Sequence, residues 1–190
     1  WRLPAHGRRA TDRRLEIAMN WPETLRLEPS AKLALEDVVN SNPFLGNWIE
    51  GEAYANNHQA REMGRILIEA FHPEIQHARI AYLFRERMQT KGTVVHAKAK
   101  RAGAQLKHLA DIDFVLEFNW TAWRGLDTVA RAALVDHELT HCSRNDDEEF
   151  CTVPHDIEEF HTIVARWGLW NRDVKTFSDV LHRQLELLPA

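Results

Sequence analysis

His137, Glu138 and His141 form an H-E-x-x-H pattern inside V-D-H-E-L-T-H-C, Val135 to Cys142. Residues four apart on a helix share a face, one turn apart. That spacing brings two imidazole nitrogens to one point, where a zinc ion can take both. The glutamate lies beside the first of them, rotated toward the place of a metal-activated water. A general base is needed there. Eleven histidines in 190 residues weaken any argument from one pair, so the pattern gains weight only from its surroundings.

Zinc in a catalytic site takes a third protein ligand and leaves one position open. The downstream candidates are His155, Glu158, Glu159 and His161. His155 follows a connection long enough to turn back on the site, and it is favoured as the third ligand. Glu158 and Glu159 share about the same helical face and are the alternatives. Either one is also placed to orient a ligand from behind. His161 faces elsewhere on that helix. Cys142 and Cys151 are thiols that suit zinc, but Cys142 faces the opposite side of its helix from His141 and reads as a buried free thiol. The competing account makes His137 and His141 core histidines bonded to carbonyls. Filling a core with two imidazoles and a carboxylate is costly, because each polar group needs a partner. Tyr82, His161 and Arg166 are candidate donors to a developing oxyanion, and the sequence does not choose among them.

The elements that must position these groups can be read in outline. Asp127 caps a helix expected from about Thr128 to Cys142, with no charge between Ala132 and Val135. A helix apolar nearly all round is a buried one, so the histidines are expected at the inner end of a central helix. Before it, Ile80–Phe84, Thr93–Ala97 and Asp113–Phe118 have the composition of strands, with Lys91-Gly92 between the first two. The last of these, D-F-V-L-E-F, is expected to offer an edge along which an extended peptide can pair. Helices are expected after Ser30, which would cap the first, then from about Asn56 to Phe71, from His155 to Gly168, and from about Asp173 to Leu188. The last is read as a packing helix, with His182 on the surface. Asn42-Pro43 ends the first helix, and a loop with Trp48 follows. Asp146–Glu149 is an acidic loop.

Composition narrows the class. Hydrophobic residues make up 44% of the chain and the net charge is −4. A sizeable core is available, and no global charge argues for nucleic acid or an anionic membrane. Two cysteines exclude a disulfide scaffold and favour a reduced, intracellular setting. No stretch is long and apolar enough to span a bilayer, and no targeting segment is visible. Local basic runs exist, in the arginine-rich start (Arg2, Arg8, Arg9, Arg13, Arg14) and between Arg85 and Lys107. Solvated termini and strand edges explain such runs more often than phosphate contacts do.

With these residues in view, the chain resembles the family described as "Putative phage metallopeptidase", a zincin-like group of phage and prophage genomes. The resemblance is carried by A-R-I-A-Y-L-F-R (Ala78–Arg85), K-G…A-K (Lys91–Lys98) and D-F-V-L-E-F with the tryptophans after it (Asp113–Trp123). It continues through A-L-V-D-H-E-L-T-H-C (Ala133–Cys142) and H-D-I-E-E-F…V-A-R-W-G-L-W (His155–Trp170), so it spans roughly 55–170. The H-D-I-E-E-F segment is also similar to the third-ligand segment of SprT-like metalloproteases, which again implies His155. The resemblance implies an α+β, zincin-like fold: a small mixed or antiparallel sheet packed on a central H-E-x-x-H helix, with further helices on either side. The expected organisation is an N-terminal extension and helix over 1–50 and a metallopeptidase domain over 51–190. The implied function is a Zn2+-dependent peptidase acting on protein or peptide in the cytoplasm of a bacterial host. Its metal ligands would be His137, His141 and His155, and its general base Glu138. The alternatives are a SprT-like protease of DNA-bound proteins and a zincin-fold binding module without turnover.

Overall fold

The computed structural model describes residues 21, 25, 27–41, 53–155 and 159–186. The arginine-rich start, Asn42-Pro43, Trp48, Ile157, Glu158 and Leu188 lie outside the described residues. The chain is α+β. Helix α1 (Pro29–Ser41) is followed by strand β1 (Tyr54–Asn56) and helix α2 (His58–Phe71). Then come β2 (Ile80–Arg85), the short hairpin β3 (Gln89–Thr90) and β4 (Thr93–Val94), β5 (Ala97–Arg101) and α3 (Ala104–Ala110). The centre of the chain is β6 (Phe114–Asn119), α4 (Trp120–Arg124) and α5 (Thr128–Thr140). A hairpin of β7 (Cys142–Arg144) and β8 (Phe150–Thr152) leads to α6 (His161–Trp167) and α7 (Arg172–Glu186).

The main sheet has the order β1-β2-β6-β5. It is mixed: β2 runs parallel to β6, and the two outer pairs are antiparallel. All six residues of β6 are buried. Phe114, Leu116 and Phe118 point into the core that α2 and α5 cover, where they join Met63, Leu67, Val135 and Leu139. The alternate positions are polar or smaller. Glu117 is buried there and accepts a bond from Lys100 Nζ at 2.6 Å.

That arrangement corrects the sequence reading of Asp113–Phe118. The strand is bonded on both sides, so it presents no edge. Its run of β-formers marks a central strand, and the edge next to it belongs to β5. The stretch Thr93–Ala97 is also not one strand. Lys91 and Gly92 both have positive φ (49° and 82°) and close a tight two-residue hairpin between β3 and β4. Such turns match the twist of the flanking strands. The ladder to β6 begins only at Ala97.

Local signals account for most helix ends. Asn57 caps α2 by accepting from Ala60 N at 2.9 Å, and Asp127 caps α5 by accepting from Ala130 N at 2.8 Å. The first helix starts one residue before Ser30. Proline at the first helical position lacks only an amide that would have had no partner, and the Glu28 carbonyl takes the bonds from Ala31 and Lys32. Leu35 of α1 is fully buried in the shared core. In α7 the expected packing face holds at Val174, whereas Phe177 is 51% exposed. Helix α3 was not expected from the sequence. It buries none of its residues, so it has no apolar period to read.

Candidate metal centre

Helix α5 is the scaffold of the site. Between Ala132 and Leu139 every residue is buried, including the polar run Asp136, His137 and Glu138. The helix stops at Thr140, and Cys142 already belongs to β7. His141 therefore sits at the junction, half exposed where His137 is buried. Cys142 is a free, buried thiol, as expected, with Sγ 3.6 Å from the carbonyl of Glu138.

The structure brings His155 to this pair. The ligand nitrogens of His137, His141 and His155 all lie within 4.8 Å of one another, and the Nε2 atoms of His137 and His155 are 3.0 Å apart. Nitrogens that share one zinc ion are at most about 4.2 Å apart. The His137–His155 pair is already inside that limit. His155 does not open a helix, however. It lies after β8 outside any helix or strand, and α6 begins at His161, with Phe160 extended before it. Of the residues whose spacing suggested a longer helix, Phe160 and Trp167 enter the core, together with Ile163.

Each motif histidine is oriented through its other ring nitrogen. His141 Nδ1 is 2.7 Å from the carbonyl oxygen of Val153. A carbonyl only accepts, so Nδ1 carries the hydrogen. Burial, with His137 and His155 nearby, lowers the His141 pKa to about 4. The ring is therefore neutral, and its Nε2 offers a lone pair. His137 Nδ1 is 2.5 Å from Oε1 of Glu159. Burial opposes charge on His137, but the bond to Glu159 and the nearby carboxylates outweigh it and raise its pKa. Glu159 also accepts from the Phe160 amide at 2.9 Å and the Trp170 indole at 3.0 Å. Burial alone would raise its pKa, and these bonds bring it below the usual value. Glu159 thus stands behind His137, as a carboxylate that fixes a ligand's ring and tautomer would.

Glu138 is 3% exposed, and burial pushes its carboxyl up to about 7. It accepts a bond from the backbone amide of Ala99 in β5. Its Oε2 is buried without a hydrogen-bond partner. A buried carboxylate oxygen left open beside three converging imidazoles fits a site built for a cation and a proton. The donor set, three histidines with a carboxylate alongside, suits a divalent transition-metal ion.

Of the candidate oxyanion donors, Arg166 is engaged with another group and Tyr82 is packed against a helix. The Tyr82 hydroxyl lies over Gly64 of α2. Arg166 binds both oxygens of Asp136 at 2.6 and 2.7 Å and stacks on Phe71. His161 is exposed at the start of α6. The sequence reading missed Asp136 altogether. The available signal was the aspartate of V-D-H-E, three and four residues from the buried Ala133 and Ala132. It also missed the Val153 carbonyl and the Ala99 amide, which no residue type advertises.

No helix among the described residues is long and apolar enough to cross a membrane. No curated protein and no solved structure matches the chain. The model of the family described as "Putative phage metallopeptidase" matches residues 52–178, which takes in the sheet, α5 and all three histidines. The match spans well over half of the sequence, and the chain belongs to that family.

Proposed function

We propose that the chain is a zinc-dependent peptidase with a zincin-like site, held by His137, His141 and His155 with Glu138 as general base. The observation that carries this reading is the paired orientation of the site. Both motif histidines use Nδ1 for a fixed hydrogen bond, which turns Nε2 inward, and the inner Oε2 of Glu138 has no partner. Zinc bound there would supply Lewis acidity and a water acidic enough to lose its proton near neutral pH. Glu138 receives that proton at Oε2 and carries it to the leaving amine. A buried carboxylate with one oxygen open toward the site is suited to both roles. Glu159 holds the His137 ring, and Val153 holds that of His141.

The substrate of this reading is a protein or an extended peptide. Along β5 the His96 carbonyl and the Ala102 amide bond toward the centre of the sheet. By the alternation of an antiparallel ladder, the backbone groups of Ala97, Ala99 and Arg101 turn outward. An added strand pairs with such groups with little regard to sequence. The Ala99 amide is turned to Glu138, so a chain laid along β5 would pair through Ala97, Arg101 and the Ala99 carbonyl and pass the base. A peptidase unit over 51–190, encoded by phage or prophage and acting in the bacterial cytoplasm, completes the proposal.

The alternative of a SprT-like protease of DNA-bound proteins rests on the basic residues of 85–107. Lys100 is paired with Glu117, and Lys107 with Asp111 and Asp113, which lessens that case. A binding module without turnover would have no use for a buried carboxylate with one oxygen left open. The test is metal analysis of the purified protein, together with cleavage of an unfolded protein substrate by the native chain and by Glu138→Gln. The expected result is about one zinc per chain in both, with a loss of roughly 100- to 10,000-fold in rate for the variant. Absence of metal in protein purified without chelator would sink the proposal. Metal without cleavage would favour the binding module, and retention on DNA at moderate salt the SprT-like reading.

A further inference from the structure

Asp136 precedes the first motif histidine and points to a different side of α5, since successive helical residues are rotated by about 100°. It is fully buried. Its carboxylate accepts from Arg166 Nη1 at 2.6 and 2.7 Å and from the Trp167 indole at 2.6 Å, and it lies 2.6 Å from His72 Nε2. His72 follows the end of α2, and the other two belong to the end of α6. The chain then turns at Gly168, whose φ is +64°. Just beyond that turn, Trp170 bonds Glu159 Oε2 at 3.0 Å and Asn171 lies at 3.5 Å from it. Glu159 is the residue that grips His137.

These bonds form a closed circuit. Asp136 on α5 holds the far end of α6. The segment after α6 holds Glu159, at the near end of α6. Glu159 returns to α5 at His137, the very next residue after Asp136. From this we propose that Asp136 is a positioning residue for the metal centre, fixing α6 and the turn behind it so that Glu159 meets Nδ1 of His137. The inference rests on the proposed function, because it assigns Asp136 to the same site. Stability is a weaker explanation of this residue. A buried charged group with its partners can often be replaced by apolar residues of similar volume at no cost. Orientation requires the directed bonds that only the carboxylate makes.

The test measures zinc affinity by chelator competition in the full chain, together with the visible spectrum of the cobalt-substituted protein. Asp136→Asn removes the charge, and Trp167→Phe removes one donor while keeping an aromatic ring. Asp127→Ala is the control, since it weakens the same helix at its cap without touching the circuit. Zinc affinity is expected to fall about 10- to 100-fold for Asp136→Asn, the range for partners that orient a ligand, and less for Trp167→Phe. Both should shift the cobalt bands. Asp127→Ala should stay within about twofold of native and keep the native spectrum, although its caps are worth stability. Native affinity and spectrum in Trp167→Phe and in a folded Asp136→Asn would overturn the proposal. If Asp136→Asn does not fold, Trp167→Phe alone decides. An equal loss in the Asp127→Ala control would also overturn it, since helix stability would then be the cause. Failure of the native chain to bind zinc would remove the proposed function and this inference together. A failure in the variants alone removes only this inference.

Discussion

Oε1 of Glu159 lies 2.5 Å from Nδ1 of His137, and Oε2 of the same carboxylate takes the Trp170 indole at 3.0 Å. One side chain therefore ties the first motif histidine to the segment that leads into α7. Glu159→Ala leaves the His137 ring free to rotate and to change tautomer. Zinc affinity should fall by about 10- to 100-fold, measured by competition with a chelating dye. Equal affinity in the variant would mean that Glu159 merely packs behind the ring.

Glu138 supports a prediction about pH in the metal-free protein. Burial raises its carboxyl from 4.5 to about 7. Between those values the folded chain keeps a proton that the unfolded chain has released. Its contribution to stability is thus fully present below about pH 4.5 and is lost as the pH rises through about 7. Glu138→Gln has no proton to lose. In the presence of chelator, the variant should gain on the native protein by on the order of 1–3 kcal/mol between about pH 4 and pH 8. Urea unfolding at both ends of that range measures the difference. A gap that stays constant with pH would show that the carboxyl is not held in a raised state.

Much of the site was legible because it depends on local spacing. His137, Glu138 and His141 lie within one turn and a half of helix, and Asp127 marks the start of that helix. The third histidine was reachable because only three histidines follow the motif. What escaped depended on pairing between distant segments. The register of β6 between β2 and β5 sets which strand has an edge, and D-F-V-L-E-F does not encode its neighbours. Glu117 is the acid inside that strand. It is buried because Lys100, on a strand whose pairing is not written locally, supplies the opposite charge. Asp136 escaped for the same reason: its partners are 30, 31 and 64 residues away. His155 was assigned to a helix because Ile157, Phe160, Val164 and Trp167 keep helical spacing in the sequence, whereas α6 begins at His161.

Gly64 is a packing requirement within α2. A Cβ there would lie 2.3 Å from the Tyr82 hydroxyl oxygen and 2.7 Å from the ring carbon that bears it. Tyr82 is 7% exposed and sits in the core, so the ring cannot simply swing into water. Helix propensity alone would make Gly64→Ala stabilising by about 1 kcal/mol. Overpacking should reverse the sign and cost about 1–3 kcal/mol. A lower urea midpoint with an unchanged slope is the expected result, and a higher midpoint would mean that Tyr82 yields at little cost.

His72 joins α2 to the centre of the fold through Asp136, and it faces charges from three elements. Asp136 lies at 2.6 Å on α5, Glu74 at 3.8 Å on the turn after α2, and Arg166 on α6 opposes its charge. Burial, the largest influence, lowers its pKa, but the bonds to Asp136 and Glu74 outweigh it, and the net shift is upward from 6.5. A histidine with a raised folded pKa contributes stability that is complete below about pH 6.5 and lost as the pH rises through the raised value. His72→Gln keeps a side-chain amide near the position of Nε2 but cannot take a proton. The native protein should therefore exceed the variant in stability by more at about pH 5.5 than at about pH 8.5. Chemical unfolding of the metal-free proteins at the two pH values reads the difference directly. The metal-free state also keeps zinc linkage at His137 out of the comparison. A gap that widens toward high pH would mean that burial prevails over Asp136, so that His72 enters the fold neutral.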